Sequence, residues 1–282
     1  MPRYTSAPKR HNAHHQVRKI ENMIKPTLEI RLKQREQPQH RTPVMYEKWH
    51  DLMFLHWEYD PQTIQRSLPN GLYVDTFEDK AYLGVIPFFM RDVHPRLFPS
   101  IPGLSDFQEL NVRTYVYDSD GTPGVWFYSL DANQYLAVKA ARLLFNLPYF
   151  YANMTAEVNP DNKEISYSSY RYGTDSNLRT CFSYRPISDT SFAGPGTLEF
   201  FLIERYVLFA YSKNRLYSGR VWHSPYPLTE VDVRNVDENV LCLDGFSKLS
   251  RTPDHKIMSP GVEVDIFGVE ELNPGNIVGR RT

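Results

Sequence analysis

The chain has 282 residues, of which 41% are hydrophobic and 14% aromatic, a composition that suits a globular protein with a sizeable core. Its net charge is −1, but residues 1–44 carry ten Lys and Arg against three Glu, a net charge of +7, which leaves −8 for the remainder. That acidic remainder argues against a broad nucleic-acid-binding surface. No apolar run approaches the roughly 18 residues that a membrane-spanning helix needs.

The cysteines and the N-terminus indicate a cellular compartment. The N-terminus lacks the apolar segment of a secretory signal. Cys181 and Cys242 are far apart and fit no CxxC pattern, so we expect two buried free thiols in a reducing environment. We therefore expect a cytoplasmic protein.

The first 44 residues differ in character from the rest. They are basic and polar and contain Pro26 and Pro38, which predicts a flexible arm. Such an arm could contact nucleic acid or an anionic membrane, although arms of this kind are more often solvated tails. No linker or internal repeat interrupts the later sequence, so residues 45–282 are expected to form one domain.

Short β-rich runs bounded by turn residues follow one another along the rest of the chain. The predicted strands cover residues 52–59, 81–90, 106–116, 125–130, 150–158, 163–172, 178–185, 205–212, 215–223 and 261–268. An Asp-Gly turn at residues 120–121 between two of them is typical of a β-hairpin. Strands greatly outnumber helices, which predicts a mainly β (α+β) fold whose predominantly antiparallel sheet closes into a barrel or sandwich.

The strand at residues 106–116 has an unusual polar face. Successive side chains of a strand point to opposite faces, so one face carries Phe107, Glu109, Asn111, Arg113 and Tyr115. The row could line a polar pocket, or it could be an ordinary solvent-facing surface. At ~3.3 Å per residue, Glu109 and Arg113 lie roughly 13 Å apart along the strand. They cannot pair with each other, so a ligand with an anionic group would suit such a pocket.

One helix is predicted over residues 132–145. Asp131 is a candidate N-cap, Gln134 completes a capping-box pattern, and Asn146 with Pro148 ends the helix. Lys139 is expected to be solvated, and Arg142 one turn later to anchor the helix to the sheet.

Several signatures of catalysis and cofactor binding are absent from the sequence. There is no Gly-rich phosphate loop and no nucleophile elbow around Ser129. After residue 44, no His has the i, i+4 His partner of helical zinc motifs. We therefore expect neither a metal site nor a cofactor.

The segment from Leu136 to Phe150, together with the Glu-Leu-Asn-x-Arg-x-Tyr-Val strand before it, resembles the YqjF-like family of unknown function, within the acetoacetate-decarboxylase-like superfamily. Together the matching stretches extend over residues 45–270. The further stretches that carry the resemblance are residues 49–57, 129–131, 201–206, 223–228 and 259–267.

The resemblance implies a closed or cone-shaped, largely antiparallel β-barrel with a few short helices and a central cavity. In the decarboxylases, the corresponding helix leads to a Gly-x-Pro-Lys-Lys motif whose first lysine forms a Schiff base and whose second lowers the pKa of the first. Here the run is Asn-Leu-Pro-Tyr-Phe, with Tyr149 in place of the first lysine and Phe150 in place of the second. A phenol cannot form an imine. The glutamate of the family's Tyr-x-Glu motif matches Glu109, which is therefore expected to face the cavity.

We accordingly expect a ligand-binding barrel without the Schiff-base lysine, taking a small anionic, oxo-acid-like molecule. The expected site residues are Glu109 and Arg113 as catalytic acid–base group and anion anchor, with Asn111, Tyr115, Ser129, Tyr149, Tyr151 and His56 binding the ligand. Two alternatives are an acid–base lyase, hydratase or isomerase acting on a small oxo-acid, and an interaction protein acting through residues 1–44. A homo-oligomer is compatible with any of these.

Overall fold

The computed structural model describes residues 24–237, 239–247, 249 and 251–272, which form mostly strands with a few short helices. The helices are α1 (Leu28–Gln34), α2 (Pro61–Ser67), α3 (Tyr135–Leu144), α4 (Leu198–Ile203) and α5 (Asn239–Leu243). The strands are β1 (Met45–Tyr59), β2 (Tyr73–Val74), β3 (Ala81–Pro95), β4 (Phe107–Tyr117), β5 (Pro123–Ala132), β6 (Tyr149–Val158), β7 (Ile165–Arg171), β8 (Thr180–Pro186), β9 (Val207–Ser212), β10 (Arg215–His223), β11 (Val231–Val236) and β12 (His255–Glu271). No helix in these ranges is long and apolar enough to cross a membrane.

Seven of the strands close into a barrel in the order β5–β9–β10–β12–β1–β3–β4, with β4 pairing back onto β5. The pairings are antiparallel except at the seam between β5 and β9, which is parallel and joins only Val125 to Leu208 and Trp126 to Phe209. The predicted mainly β barrel is confirmed. The sequence pattern does not reveal the parallel seam, because strand direction depends on the course of the connections.

Strand β5 is also the point at which the sheet divides. Its second half pairs in parallel with β6 through Leu130–Ala132, and β6 leads into an outer sheet of order β6–β7–β8–β11. The outer sheet covers one side of the barrel, with a second apolar core between them that includes Leu110, Val112, Tyr167 and Phe182. Both faces of β4 are therefore buried, and the solvent-facing alternative for this strand is wrong.

Helix α3 begins later than the sequence predicts. Asp131 and Ala132 continue strand β5, and Gln134 is the N-cap, accepting a hydrogen bond from the Leu136 N–H at 3.2 Å. The helix ends as predicted, at a left-handed Asn146 with φ of 54°. Arg142 anchors the helix as expected, since its Nε donates to the Tyr149 carbonyl at 2.6 Å, and Lys139 is exposed.

The structure differs from the expected flexible arm over residues 24–44, whereas residues 1–23 lie outside the described part. Helix α1 packs on the barrel, and Arg31 forms a two-bond ion pair with the buried Asp75, both contacts being 2.8 Å. The Trp222 indole donates to the Arg35 carbonyl at 3.1 Å. These residues are held by specific polar contacts that net charge and proline content do not predict.

The thiols also differ from expectation. Both cysteines are free, but Cys181 is half-buried and Cys242 is exposed on α5. The expectation of two buried thiols is therefore wrong. Cys242 follows the buried Leu241, whose side chain occupies the inner face of that short helix.

Candidate functional site

A cavity of about 440 Å³ opens within the barrel, and the polar face of β4 forms part of its wall. The pairing of β3 with β4 shows the order of these residues along the cavity wall. Met90 pairs with Phe107, Phe88 with Glu109, Ile86 with Asn111 and Gly84 with Arg113. The side chains of Phe107, Glu109, Asn111 and Arg113 all line the cavity. Because the strand advances about 3.3 Å per residue, this row covers roughly 20 Å along β4.

A pair of carboxyl groups lies in the outer half of this row. Glu109 is buried and accepts a hydrogen bond from the Tyr149 hydroxyl at 2.8 Å. Burial raises the pKa of Glu109 to about 8, and the nearby Glu47 adds to the rise. Burial also raises the pKa of Glu47 to about 7, although the Trp49 indole donates to its carboxyl at 2.7 Å. At neutral pH Glu109 is therefore mostly protonated and can donate a hydrogen bond.

Arg113 lies at the inner end of the row and has no carboxylate partner within the described residues. Its guanidinium donates one hydrogen bond, to the Leu202 carbonyl at 3.3 Å, while its buried Nε has no partner. The rings of Phe54 and Tyr115 lie 5.6 Å from the guanidinium carbon, measured to each ring centroid. Asn111, between Arg113 and Glu109, likewise has a buried Oδ1 without a partner.

A second arginine, Arg205, lines the same cavity. It donates to the Asp75 carboxylate at 2.9 Å and to the Phe201 carbonyl at 2.6 Å, and its buried Nη2 has no partner. Burial lowers the pKa of Arg205 to about 10, so it stays charged at neutral pH. The inner part of the cavity thus holds two cations, and Asp75 neutralises one of them only in part because it also binds Arg31.

Ser129 does not line the cavity, although it lies two residues from the cavity-lining Phe127. A β-bulge between Val112 and Arg113 in the β4–β5 pairing puts Ser129 opposite Val112, on the outer face of the barrel. There its hydroxyl donates to Asp244 at 2.5 Å. Alternation alone cannot place Ser129, because the bulge reverses the faces within the strand.

Ser129 belongs to a separate buried charge cluster between the barrel and the outer sheet. Arg171 pairs with Asp131 at 2.9 Å and with Asp244 at 3.1 Å. The cluster is satisfied internally and contains a single cation between two acids. We interpret it as a structural tie between β5, β7 and α5.

Tyr115 and His56 lie beneath the inner end of the cavity without lining it. The Tyr115 hydroxyl and His56 Nε2 are 2.6 Å apart, and His56 Nδ1 lies 3.0 Å from His255 Nδ1. Burial holds the pKa of His56 well below its usual value, so the ring is neutral. Gly84 makes room for this ring, since a Cβ there would lie 3.2 Å from His56 Cδ2.

Tyr151, the last of the expected ligand-binding residues, is also outside the cavity lining. Its ring packs against Tyr135 at 5.7 Å and Tyr172 at 5.9 Å between centroids. Tyr149 points inward, and regular alternation along the strand would give Tyr151 the same face. The chain instead enters the outer sheet at this point, and the Tyr151 ring contacts α3 and the loop after β7 rather than the barrel interior.

The structure adds two groups to the expected site residues, Glu47 and Arg205. Glu47 and Trp49 share a face at the start of β1, and both line the cavity. The left-handed Asp51, with φ of 52°, shifts the alternation so that Leu52 continues this face, and the predicted strand at residues 52–59 therefore does not indicate Glu47. Arg205 lies in the turn between α4 and β9 and carries no periodic signal. The described residues contain no cluster of three His, Cys, Asp or Glu that could hold a metal ion.

Solved structures share this fold. An acetoacetate decarboxylase from Legionella pneumophila matches with a TM-score of 0.55 and 12% identity over 84% of this chain and 91% of that one. An acetoacetate decarboxylase-like enzyme from Sphingomonas wittichii RW1 matches with a TM-score of 0.55 and 15% identity over 82% and 94%. The enduracididine biosynthesis enzyme MppR complexed with pyruvate matches with a TM-score of 0.56 and 13% identity over 83% and 92%. The expected acetoacetate-decarboxylase-like fold is confirmed.

The sequence comparisons identify the family. The uncharacterized protein YqjF of Bacillus subtilis (strain 168) is 39% identical over 199 residues, which are 69% of this chain and 81% of that protein. The model of the DUF2071 family, described as an uncharacterized conserved protein, matches residues 46–263. The resemblance noted in the sequence is therefore confirmed, and this chain belongs to the DUF2071 family of uncharacterized conserved proteins.

Proposed function

We propose that this protein binds a small anionic molecule of the oxo-acid type in the barrel cavity, with Arg113 as the partner of the anion. The observation that carries the proposal is the buried Arg113 guanidinium, which faces a cavity and has an Nε without a partner. An unpaired buried cation is costly for a fold. A ligand carboxylate would supply both the missing charge and a two-bond acceptor.

The acid groups of the cavity support the same ligand. A carboxylate at Glu109 would repel an anion, but the raised pKa of about 8 keeps this side chain mostly neutral at pH 7. A neutral Glu109 can donate a hydrogen bond to a ligand carbonyl. Asn111 lies between Glu109 and Arg113 and adds an amide to the polar row.

Covalent imine chemistry is not part of the proposal. Among the described residues that line the cavity, none is a lysine, and Tyr149 stands where the decarboxylase lysine is expected. The neighbour MppR has been solved with pyruvate, which is an oxo-acid of the proposed class. That complex concerns another protein with the same fold. The support for noncovalent binding in this chain is the polar row of β4.

The test is calorimetric titration with pyruvate, acetoacetate and 2-oxobutanoate. We expect at least one of them to bind wild type and the Lys139→Met control, and binding to be lost in Arg113→Met. Borohydride added with the bound oxo-acid should not trap a reduced imine. Binding that survives in Arg113→Met, no binding of any of the three, or a trapped adduct would overturn the proposal.

Acid–base catalysis on the bound oxo-acid is the second candidate function. It is favoured by one observation, the buried Glu109 whose pKa of about 8 lies near neutrality and whose carboxyl contacts the Tyr149 hydroxyl. Such a group could exchange the proton next to the ligand carbonyl. In deuterium oxide, NMR should then show deuterium entering 2-oxobutanoate with wild type but not with Glu109→Gln. Equal exchange by both proteins would exclude this role for Glu109.

A further inference from the structure

The wall of the cavity changes character along its depth. Four ionisable side chains line it, Glu47, Glu109, Arg113 and Arg205, and all four are buried. Between the carboxyl pair and the opening, the described lining is largely apolar, with Phe107, Met90 and Leu147 among its members. A small oxo-acid held at Arg113 would occupy only the inner part of this space and would leave the apolar part unfilled.

The opening itself is apolar and exposed. Five of the large apolar residues that line the cavity are also strongly exposed: Phe98 at 65%, Ile101 at 52%, Leu104 at 40%, Leu136 at 58% and Leu144 at 62%. They come from only two places, the loop after β3 and helix α3, and we call them the apolar rim. Solvent-exposed side chains that also line a cavity mark its entrance, so a ligand that leaves the cavity passes between these groups.

Helix α3 leaves a passage along the rim. Ala137, Ala140 and Ala141 line the cavity, and residues three and four apart lie side by side on a helix. Their small side chains leave room for a chain of atoms between the helix and the barrel. Gln134 is the polar exception at this edge, and its side-chain amide already donates to the Gly103 carbonyl at 3.0 Å.

We infer that the ligand is an amphipathic monocarboxylate, with its carboxylate at Arg113 and an apolar tail that runs past Glu109 and leaves through the apolar rim. This inference rests on the proposed function: it keeps the carboxylate at Arg113 and replaces the compact oxo-acid by a fatty or aryl-alkyl acid. The roughly 20 Å of strand from Arg113 to Phe107, all of whose inward side chains line the cavity, suits an extended chain rather than a compact acid. Covering the rim with the ligand's own tail removes apolar surface from water on both sides of the contact.

The experiment measures affinity for butanoate, octanoate and dodecanoate below their micelle concentrations. Each added methylene that becomes buried should tighten binding by about fourfold, because burial of a methylene is worth ~0.8 kcal/mol. Dodecanol, which has the tail but no carboxylate, should bind more weakly than dodecanoate to wild type. In Arg113→Met that difference should disappear.

The chain offers matched controls for the rim. Leu144 and Leu143 are neighbours on α3, and Leu143 is 80% exposed but does not line the cavity. Phe98 and the 83% exposed Leu97 form the same kind of pair in the loop. Leu144→Ser and Phe98→Ser should weaken dodecanoate binding by about tenfold and leave butanoate unchanged, whereas Leu143→Ser and Leu97→Ser should alter neither. All four side chains are exposed, so the variants should melt like wild type.

The outcomes separate the two proposals. Arg113-dependent binding that does not strengthen with chain length would overturn the tail and leave the proposed function standing. Loss of Arg113 dependence for every acid would overturn the proposed function itself. Adhesion to uncharged phosphatidylcholine vesicles, or dimer formation, that depends equally on Leu143 and Leu144 would overturn the tail by making the rim a docking face.

Discussion

Two buried arginines, Arg113 and Arg171, lie on opposite sides of the barrel wall and have opposite electrostatic surroundings. Arg113 faces the cavity and has no carboxylate partner in the described chain, whereas Arg171 contacts Asp131 at 2.9 Å and Asp244 at 3.1 Å. Both are less than a tenth exposed. A buried arginine therefore has two roles in this protein. The absence of a carboxylate partner distinguishes the candidate site at Arg113 from the structural ion pairs of Arg171.

This contrast predicts different responses to the same substitution. Arg171→Met leaves two buried carboxylates without their cation and should lower the free energy of unfolding by about 3–5 kcal/mol. Arg113→Met removes an unpaired buried charge and should leave the stability of the ligand-free protein unchanged or increase it. Urea melts of both variants beside wild type measure the difference. A large loss for Arg113→Met would show that this arginine has a structural role.

Glu109 predicts a dependence of stability on pH. Its pKa rises from 4.5 to about 8 on folding, so the folded protein binds the proton more tightly than the unfolded chain. The unfolding free energy should therefore fall as pH increases from about 4.5 to about 8. The contribution of one such group reaches at most ~1.4 kcal/mol per pH unit. Glu109→Gln should flatten the slope in this window, and substitution of the exposed Glu157 by Gln should not.

At the scale of single elements, alternation of apolar and polar residues predicted most strands to within a few residues. The edge strand Val231–Val236 was missed because its outward-facing Asp and Arg make the six-residue run read as a loop. The burial of both faces of β4 could not be predicted from that segment, because the covering sheet comes from residues 149–186. The position of a strand along the chain thus depends on the local sequence. The element that each face of the strand contacts depends on distant parts of the chain.

In the candidate site, too, the sequence predicts which residues share a strand face but not which elements come together. The alternation of β4 predicted one shared face for Glu109, Asn111 and Arg113, and all three line the cavity together with Tyr149. Their roles toward a ligand stay predictions. Ser129 lies on the face opposite to the expected one, because a bulge adds one residue to strand β5. The sequence carries no signal for this bulge. Arg205 comes from a turn 92 positions after Arg113, and only the closed barrel brings the two together.

The parallel seam between β5 and β9 depends on a glycine. A Cβ at Gly124 would lie 2.7 Å from the Val207 carbonyl oxygen and 2.7 Å from Phe209 Cε2. Gly124→Ala should therefore push the two strands apart and destabilise the barrel by about 1–3 kcal/mol. Gly268→Ala is the matched control, since a Cβ there meets nothing within 4 Å. Thermal melts that show equal stability for the two variants would contradict this role of the seam.

For the molecule as a whole, residues 24–44 contact the barrel at two distant places. Arg31 contacts Asp75, which also holds Arg205 beside the cavity, and Arg41 donates to the Gly268 carbonyl at 3.0 Å. Removing these residues leaves Asp75 with one cation and removes the contacts of Arg31 with the Phe201 ring and of Arg35 with the Phe200 ring. The stability of the barrel should thus depend on residues that composition alone assigns to a tail.

Deletion of residues 1–44 should accordingly lower the melting temperature by several degrees, at about 2–4 °C per kcal/mol for a chain of this size. Arg31→Met should reproduce part of the loss, while Lys33→Met, at an exposed position on the same helix, should not. Differential scanning calorimetry compares the three proteins with wild type. An unchanged melting temperature after the deletion would show that these residues form a solvated arm and do not stabilise the barrel.

The division of the sheet at β5 also has a consequence for the order in which the chain folds. The chain leaves the barrel after Ala132 and returns beside β5 only at Val207, so α3, the outer strands β6, β7 and β8, and α4 separate the two strands of the seam. Contacts between distant residues form slowly, because the loop between them loses entropy before the contact forms. Hairpins such as β3–β4–β5 can assemble first, and the two residue pairs of the seam complete the circle last. A weakened seam should therefore hasten unfolding far more than it delays folding.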